Sequence, residues 1–377
     1  MTISATTQGI KPGVCLSTAK PVNPFDGQVI YMTDVDQTAV WDGTAWTVLA
    51  PIAGGRNVII NGAMQVHQRG TSTASITQSG YYTADRFRLL NLTQGTHTNS
   101  IENDAPTGSG FRKSFKILVT TADASPAAGD EFGLDQFIEG QNVQQFIKGT
   151  ASAKQFSLSF WVKGSTTGTY IAMIYDLNNF RFASASYTIS TSATWEKKTI
   201  TFPADATGAL NNDNATSLIV RFYLGAGSNQ TSGTLQTTWG SDTVANRAAG
   251  QTNLAAATNN YWQVTGVQLE AGAVATPFEF EDYGTTLAKC QRYYQERNNF
   301  FRAQAIGGQY QASPLSTTVS MRSAPTVTLK TASGRSATYV GALIPTTTVN
   351  GARLDNYATA AGVDYYCDDL YQLVSEL

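Results

Sequence analysis

The sequence predicts an all-β protein whose central part is an antiparallel β-sandwich, with a small β meander before it and a small β domain after it. Apolar residues alternate with polar ones over short stretches, as in the strands that contain Phe156, Leu158 and Phe160. Turns rich in Gly, Asn, Ser and Thr separate these stretches, and no long helical segments alternate with them. Parallel β-α-β architecture is therefore disfavoured, and two packed antiparallel sheets are favoured.

Composition limits the function classes. The 377 residues exceed what one hydrophobic core usually serves, so two or three domains are expected. Charged residues make up only 14% of the chain, the net charge is -2 and no run of Lys or Arg exists, which disfavours nucleic acid and anionic membranes as partners. No apolar stretch approaches the roughly 20 residues of a membrane span, so membrane insertion is not expected.

Residues 1–54 read as an N-terminal docking arm followed by a meander. Residues 1–23 are polar and lack a period, so we expect them to extend along another surface. Residues 29–32, 38–41 and 46–49 read as strands, the last two joined by a tight Asp42-Gly43 turn. Such a sheet cannot bury its face by itself, so we expect it to pack on copies of itself or on a neighbouring protein.

Residues 55–283 read as the sandwich domain. Its core strands contain the following alternating apolar sets: Phe115, Ile117, Val119; Phe156, Leu158, Phe160, Val162; Ile171, Met173, Tyr175; Leu218, Val220, Phe222, Leu224. The one candidate helix spans residues 134–147. The polar stretch 225–260 is longer than a structureless loop should be, and it is a candidate for binding or subunit contact.

The last strand of the sandwich is predicted near Trp262. Trp262 and Val264 share a face with Val267 and Leu269 only if Gly266 absorbs one extra residue, as a bulge does. Residues 57–87 are the expected partner of this late strand. Residues 273–280 contain Pro277 and read as an edge segment that leaves a finished domain.

Residues 284–377 read as a short helix followed by a C-terminal β domain for oligomerisation or receptor contact. Thr285 or Thr286 can cap the helix, which carries Leu287, Cys290 and Tyr294 on one stripe. Short strands are then predicted at residues 316–321, 326–330, 337–340 and 365–373.

No catalytic set emerges from the sequence. His67 and His97 lack metal-ligand spacing, and no nucleophile elbow or phosphate-binding glycine loop is present. The three cysteines are odd in number and far apart, so a disulfide framework is not expected. Carboxylates occur near predicted turns, but nothing in the sequence links any two of them as a glycosidase pair.

Sugar binding needs fewer features, because flat aromatic rings and planar polar groups in a shallow groove suffice. Trp161 lies opposite the core set of its strand, as do Arg221 and Tyr223 on theirs. If these strands are neighbours in one sheet, the three side chains form a platform for saccharide. A second candidate is the turn of Asp176, Asn178 and Asn179 together with Tyr187.

Five segments together resemble bacteriophage tail-fibre and related virion fibre proteins. They are residues 57–70 with 82–87, FSLSFWVKG at 156–164, GVQLEAG at 266–272, CQRYY at 290–294 and MRSAPTVTL at 321–329. The resemblance implies a jelly-roll fold, similar to carbohydrate-binding modules, for the central domain. Such modules often carry a structural calcium ion, for which the sequence places no ligands; no other cofactor is expected.

The resemblance further implies a non-enzymatic homotrimer that is synthesised in the bacterial host cytoplasm and assembled into the virion. Residues 1–54 would attach to a tail or capsid adaptor protein, and the later domains would contact a host surface glycan or receptor. Two alternatives stay open: a carbohydrate-binding module without a virion role, and a depolymerase of surface glycan.

Overall fold

The computed structural model describes residues 13–35, 37–49, 55–304, 310–337, 339–358 and 364–377. Within these ranges the fold is all-β, as predicted, and the strands form four sheets. The strands are β1 (Gly13–Cys15), β2 (Val29–Met32), β3 (Gln37–Trp41), β4 (Trp46–Leu49), β5 (Ser72–Gly80), β6 (Arg88–Glu102), β7 (Ser114–Thr121), β8 (Glu131–Glu139), β9 (Phe156–Gly164), β10 (Gly168–Asp176), β11 (Arg181–Ile189), β12 (Glu196–Phe202), β13 (Thr216–Ala226), β14 (Gly240–Ser241), β15 (Tyr261–Ala271), β16 (Tyr294–Gln304), β17 (Gln311–Ser316), β18 (Thr326–Thr331), β19 (Tyr339–Thr348), β20 (Gly351–Ala358) and β21 (Asp364–Val374). The α-helices are α1 (Ser228–Thr231) and α2 (Tyr283–Gln291), and short 3-10 turns occur at Gly140–Asn142, Gln144–Phe146, Val244–Asn246 and Leu254–Ala256.

The N-terminal sheet has the strand order β1-β2-β3-β4. The three predicted strands are confirmed. The expectation that residues 1–23 only extend along another surface is wrong for Gly13–Cys15, which pairs in parallel with β2. Residues 1–12 lie outside the described ranges. The sheet buries a very small apolar core of Ile30, Met32 and Ala39.

The central domain is an antiparallel sandwich of two layers joined by the long strand β6. The first layer runs β12-β9-β15-β7 and ends on the later half of β6, whereas the second starts on the earlier half of β6 and continues β8-β13-β10-β11-β14. Gly95 lies between the halves with φ 74°, and a Cβ there would lie 2.5 Å from Thr121 O. Glycine therefore permits β6 to serve both layers at this crowded bend.

The main core lies between the two layers. Phe156, Leu158, Phe160 and Val162 of β9 are fully buried in it, as predicted. The bulge at Gly266 is confirmed: Thr265 pairs with Trp161 and Gln268 with Ser159, so three steps on β15 match two on β9. Gly266 has φ 63° and supports the ring of Phe111, so Trp262 and Leu269 both face the core.

The late strand β15 meets residues 57–87 only near its bulge. Val267 N donates to Gly62 O at 3.0 Å, and Val58 N donates to Leu269 O at 3.0 Å. The ladder partners of β15 are β7 and β9. The Asn57 side chain makes two further hydrogen bonds, to Val267 O and from Leu269 N, but residues 57–87 form no ladder with β15, so the expectation that they supply its sheet partner is wrong.

Two further predictions within the sandwich are wrong. Residues 134–147 are not an α-helix, because the first part belongs to β8 and the remainder forms two short 3-10 turns. The core face expected for β10 is also wrong: Tyr170, Ala172 and Ile174 face the main core. The other face of β10 packs in a second, smaller core with β13, because the chain covers this sheet on both sides.

Residues 227–256 cover the outer face of the second layer. Helix α1, strand β14 and two 3-10 turns give this stretch local structure, and its own Ala248 and Leu235 pack into the second core. The polar stretch considered for binding or subunit contact is thus an ordered cover over a second core.

Residues 283–377 form α2 and two three-stranded sheets, with the orders β16-β21-β18 and β17-β20-β19. The N-cap of α2 is Asp282, which accepts a hydrogen bond from Thr285 N, so the predicted cap at Thr285 or Thr286 is wrong. Tyr294 begins β16 rather than ending the helix stripe. The predicted strand at 316–321 is displaced, since β17 ends at Ser316, and the sequence did not predict β16 and β20.

The C-terminal sheets contact the sandwich through buried charges. Glu376 pairs with Arg69 and with Arg86, whose side chain is 1% exposed. The guanidinium of Arg86 also lies 3.5 Å from the ring centre of Tyr293. In the part of the chain described, all three cysteines are free, and no helix is long and apolar enough to cross a bilayer.

Candidate functional site

The predicted platform of Trp161, Arg221 and Tyr223 is not assembled. Trp161 lies on β9 in the first layer, and the other two lie on β13 in the second, so the condition that their strands are neighbours is wrong. Arg221 donates two hydrogen bonds to Asp135, of 2.7 and 3.0 Å, and one of 2.7 Å to Glu131. Tyr223 is fully buried beneath the covering residues 227–256. Neither side chain presents a surface for stacking a ligand.

The turn at Asp176, Asn178 and Asn179 is held by internal hydrogen bonds. Asp176 is fully buried and accepts from Lys148 Nζ at 2.5 Å and from Asn179 Nδ2 at 2.9 Å. Asn178 Oδ1 accepts from Asn211 N at 3.1 Å. These polar atoms connect neighbouring loops.

Tyr187 is not near this turn's surface. Its side chain points into the main core, where it makes an edge contact with Phe160 at 5.0 Å between ring centres. Burial raises the pKa of Tyr187 well above its usual value. The structure thus does not bring Tyr187 together with Asp176, Asn178 and Asn179 as an accessible site.

Other residues of the chain cover one half of the outer face of the first layer, around the bulge at Gly266. Phe111, Phe278 and Phe280 contact one another with ring centres 4.8 to 5.0 Å apart, and Phe111 lies on the bulge at Gly266. Residues 272–280 also cover Gln268, whose amide donates to Glu270 at 2.8 Å. The three phenylalanine rings and residues 272–280 therefore cover this half of the sheet.

The other half of this outer face is open and carries two partly exposed tryptophans. We call it the Trp161 face and define it by Trp161, Lys163, Trp195, Gln263 and Asp104. Trp161 and Lys163 alternate with the core residues of β9 and therefore point outward together. Gln263 is the cross-strand neighbour of Lys163 on β15, and Trp195 immediately precedes β12.

Asp104 organises the polar part of the Trp161 face. Its carboxylate accepts a hydrogen bond from Trp195 Nε1 at 3.1 Å, one from Gln263 Nε2 at 3.3 Å, and an ion-paired one from Lys163. Burial raises the pKa of Asp104, but the hydrogen bonds from Lys163 and Trp195 outweigh it and bring the pKa below its usual value. The carboxylate is therefore ionised at neutral pH.

Cations also lie near the aromatic rings of this layer. Lys163 Nζ is 5.2 Å from the centre of the Trp195 ring, within the range of a cation–π contact. On the neighbouring strand β7, Lys116 lies beside Gln263 in the register, and its Nζ is 4.8 Å from the ring centre of Tyr261. The aromatic rings, the Asp104 carboxylate and two amines thus lie together on this layer, and the buried amide of Gln263 holds the carboxylate in place.

Sequence reasoning identified Trp161 and its outward direction but missed Trp195, Gln263 and Asp104 as its neighbours. Gln263 could have been found, because it lies between the core residues Trp262 and Val264 on the closing strand and so takes the opposite face. Asp104 and Trp195 lie outside the strands, and no periodicity points to them. Their proximity depends on how β6, β9 and β12 are ordered in the sheet.

The structure assigns no ligand set to the calcium ion suggested by the resemblance. No group of three or more His, Cys, Asp or Glu side chains in the described ranges is placed to hold a metal ion. The buried carboxylates of Asp135 and Asp176 are paired with Arg221 and Lys148 instead.

Comparison with known proteins gives matches only among solved structures. No model of a protein family and no curated protein matches the chain. The enzymatically active domain of bacteriophage CBA120 tailspike protein 4 is 16% identical, with a TM-score of 0.31; the match covers 57% of this chain and 21% of that one. TmCBM61 in complex with β-1,4-galactotriose is 10% identical, with a TM-score of 0.30 and coverage of 57% and 99%. The CBM22-1 xylan-binding domain from Paenibacillus barcinonensis is 9% identical, with a TM-score of 0.27 and coverage of 56% and 99%.

Proposed function

We propose that this chain is a non-enzymatic fibre or spike protein of a phage particle, and that the Trp161 face adheres to glycan on the host surface. The observation that carries the glycan proposal is the pair of partly exposed indoles, Trp161 and Trp195, beside a fixed carboxylate. A pyranose ring offers an apolar C–H face for an indole and hydroxyls for the partly exposed carboxylate of Asp104. The hydrogen bond from Trp195 to Asp104 fixes both groups before ligand arrives, which reduces the entropy lost on binding.

An open face of this kind suits weak, repeated contacts. The site buries little of a ligand, so a single copy is expected to bind a saccharide weakly. Linking copies in a homotrimer, and several trimers on a particle, would raise the overall avidity without any new contact. A particle-borne adhesin would obtain this multivalency, whereas an isolated binding module would rely on single weak contacts.

Attachment to the particle is assigned to residues 1–54. The N-terminal sheet has a core of only three buried apolar side chains among its described residues, and it exposes Phe25 by 68% and Val22 by 92%. A sheet this small gains stability by packing on a larger body. In our proposal that body is a tail or capsid adaptor protein of the virion.

The glycan proposal is tested by binding of the full chain to polysaccharide extracted from the host surface. Replacing Trp161→Ala together with Trp195→Ala removes both rings, each worth about 1 kcal/mol in stacking, so affinity should fall about tenfold or more. Phe180→Ala is the matched control, since Phe180 is an aromatic 63% exposed on another loop of the sandwich. Unchanged affinity in a folded double variant would reject the Trp161 face.

The same face would serve a carbohydrate-binding module that has no virion role. The two functions differ in where the chain is found, so antibodies against the full chain should label purified phage particles. Absence of the chain from particles, with retained glycan binding, would favour the module. The third candidate, a depolymerase, is distinguished by product release.

A further inference from the structure

We propose a second saccharide-binding site, in the cleft between the sandwich and the C-terminal sheets. The cleft has a volume of about 350 Å³. Arg69, Tyr81 and Tyr82 line it from the sandwich, and Tyr294, Lys330 and Gln372 line it from β16, β18 and β21. It shares no residue with the Trp161 face, so this inference does not rest on the function proposed above.

Tyr82 supplies an immobilised ring at the cleft. Its hydroxyl donates a 2.8 Å hydrogen bond to Gln78 O, and its ring lies against Gly80, where a Cβ would come within 2.9 Å. A larger residue at position 80 would displace the ring. An aromatic ring that is fixed before binding loses little entropy when a pyranose stacks on it.

Arg69 forms a rigid part of the cleft. Its guanidinium lies 3.7 Å from the ring centre of Tyr294 and 5.5 Å from that of Tyr81, so the two rings flank it. It also pairs with Glu376 at 2.9 Å and with Asp85 at 3.5 Å. Two largely buried carboxylates thus balance the positive charge of Arg69. We therefore expect its guanidinium to donate hydrogen bonds to neutral hydroxyl groups and not to select anions.

The rim of the cleft is polar and charge-balanced. Lys330 pairs with Glu296 at 2.5 Å, and Gln372 Nε2 donates to Thr328 Oγ1 at 2.9 Å. Both cations at the cleft are therefore neutralised, and the amide of Gln372 is a suitable partner for hydroxyl groups. Fixed tyrosine rings with neutralised polar groups match an uncharged saccharide better than an acidic one.

The size of the cleft limits the ligand. A volume of about 350 Å³ lies at the lower end of the range for small-molecule sites, which suits one or two sugar rings. Because the two walls belong to different units, a bound sugar would also bridge the sandwich and the C-terminal sheets. Ligand that binds only the folded, joined form raises the unfolding temperature.

The test uses the full chain carrying Trp161→Ala and Trp195→Ala, so that the Trp161 face no longer contributes saccharide binding. Saturation-transfer NMR is recorded with lactose, cellobiose, maltose and chitobiose as the probes. At least one of them should give signals, and these should fall about fivefold or more when Tyr82→Ala or Gln372→Ala is added, since each change removes a stacking or hydrogen-bonding group. Tyr82→Phe keeps the ring and should retain most of the signal, and a probe that binds should also raise the unfolding temperature.

Absence of signal from all four sugars, or signals unchanged in folded Tyr82→Ala and Gln372→Ala chains, would overturn the cleft site. Neither result affects the Trp161 face, whose own test uses the chain with an intact Tyr82 and host polysaccharide. Conversely, if the Trp161 face does not bind polysaccharide, an NMR signal that depends on Tyr82 would still support the cleft site.

Discussion

His97 is a buried neutral histidine in the main sandwich. Its ring is fully buried and stacks on Phe132 with ring centres 4.0 Å apart, and Nε2 contacts Gln94 O at 2.7 Å. Burial lowers the pKa of His97 from 6.5 to about 4, and the contact with Gln94 O only partly opposes this. The ring therefore stays uncharged in the folded chain at mildly acidic pH.

This pKa predicts how stability depends on pH. Between pH 6.5 and 4 the unfolded chain binds a proton at His97 that the folded chain does not, so stability falls as the pH falls. The loss reaches about 3 kcal/mol near pH 4. Chemical unfolding of the parent chain and of His97→Gln at several pH values measures it. The difference between the two should change across this window; a constant difference would contradict the assignment.

The sequence predicts the face of the sheet to which a side chain points better than it predicts whether that side chain is exposed to solvent. Alternation placed Trp161 and Tyr223 correctly on faces opposite the main core. It could not show that residues 227–256 fold over Tyr223, whereas Trp161 stays partly exposed. The segments that cover a strand are distant from it in sequence. The alternation of residues within the strand therefore does not show whether its outer face is covered.

A cluster of buried charges joins the loops at one end of the sandwich. Lys148, with no exposed side-chain area, pairs with Asp176 at 2.5 Å and Asp205 at 3.0 Å. Its Nζ also donates to Thr207 O and Gly208 O, and Arg181 pairs with Asp205 at 2.9 Å. The cation thus connects the β10–β11 turn with the loop after β12.

Removing this cation should be costly. Lys148→Met leaves Asp176 buried without its counter-charge, so the unfolding free energy should fall by about 3–5 kcal/mol. The matched control is Lys289→Met, because the Lys289–Glu281 pair is 43% and 30% exposed and should contribute less than about 1 kcal/mol. Denaturant unfolding of both variants provides the comparison, and equal effects would contradict the importance of burial.

At the scale of elements, strands with one apolar face are predicted well. β2, β4, β9 and the bulge in β15 follow from alternation and from one glycine. Alternation does not identify the core-facing residues of β10, because every residue from Tyr170 to Tyr175 is apolar. Either face of this strand could therefore be the one that faces the main core. The stretch 134–147 has the spacing of a helix because its strand and its 3-10 turns together mimic that period.

Glu376 connects the C-terminal sheets to the sandwich. It compensates the buried charge of Arg86, and Arg69 shares the same carboxylate. No pattern in the sequence points to this contact, because Arg86 and Glu376 lie 290 residues apart. Contacts of this kind, like the order of strands in the two layers, depend on the assembled fold.

This contact predicts that Glu376 stabilises the sandwich. Glu376→Gln leaves Arg86 buried and uncompensated, so the unfolding free energy should drop by about 3 kcal/mol or more. Glu281→Gln removes a partly exposed carboxylate and is the control. Hydrogen exchange of β8 and β13 amides reports on the sandwich directly. Exchange that is unchanged in Glu376→Gln would show that the two units fold independently.

Assembly is predicted from the small N-terminal and C-terminal sheets. The purified full chain should have the mass of a trimer by light scattering. A chain truncated to begin at Asn57 tests how far the N-terminal sheet contributes to that assembly. A stable monomer in both cases would show that the chain does not form a trimer by itself, and trimer formation could then not raise its avidity for glycan.

We propose that the chain adheres to surface glycan and does not convert it. The most direct measurement incubates the full chain with purified host polysaccharide and follows both the bound polysaccharide and the release of new reducing ends. We predict polysaccharide retained by the chain, with reducing ends no higher than in the protein-free control. Release of reducing ends in proportion to the amount of chain would identify a depolymerase and reject the purely adhesive role.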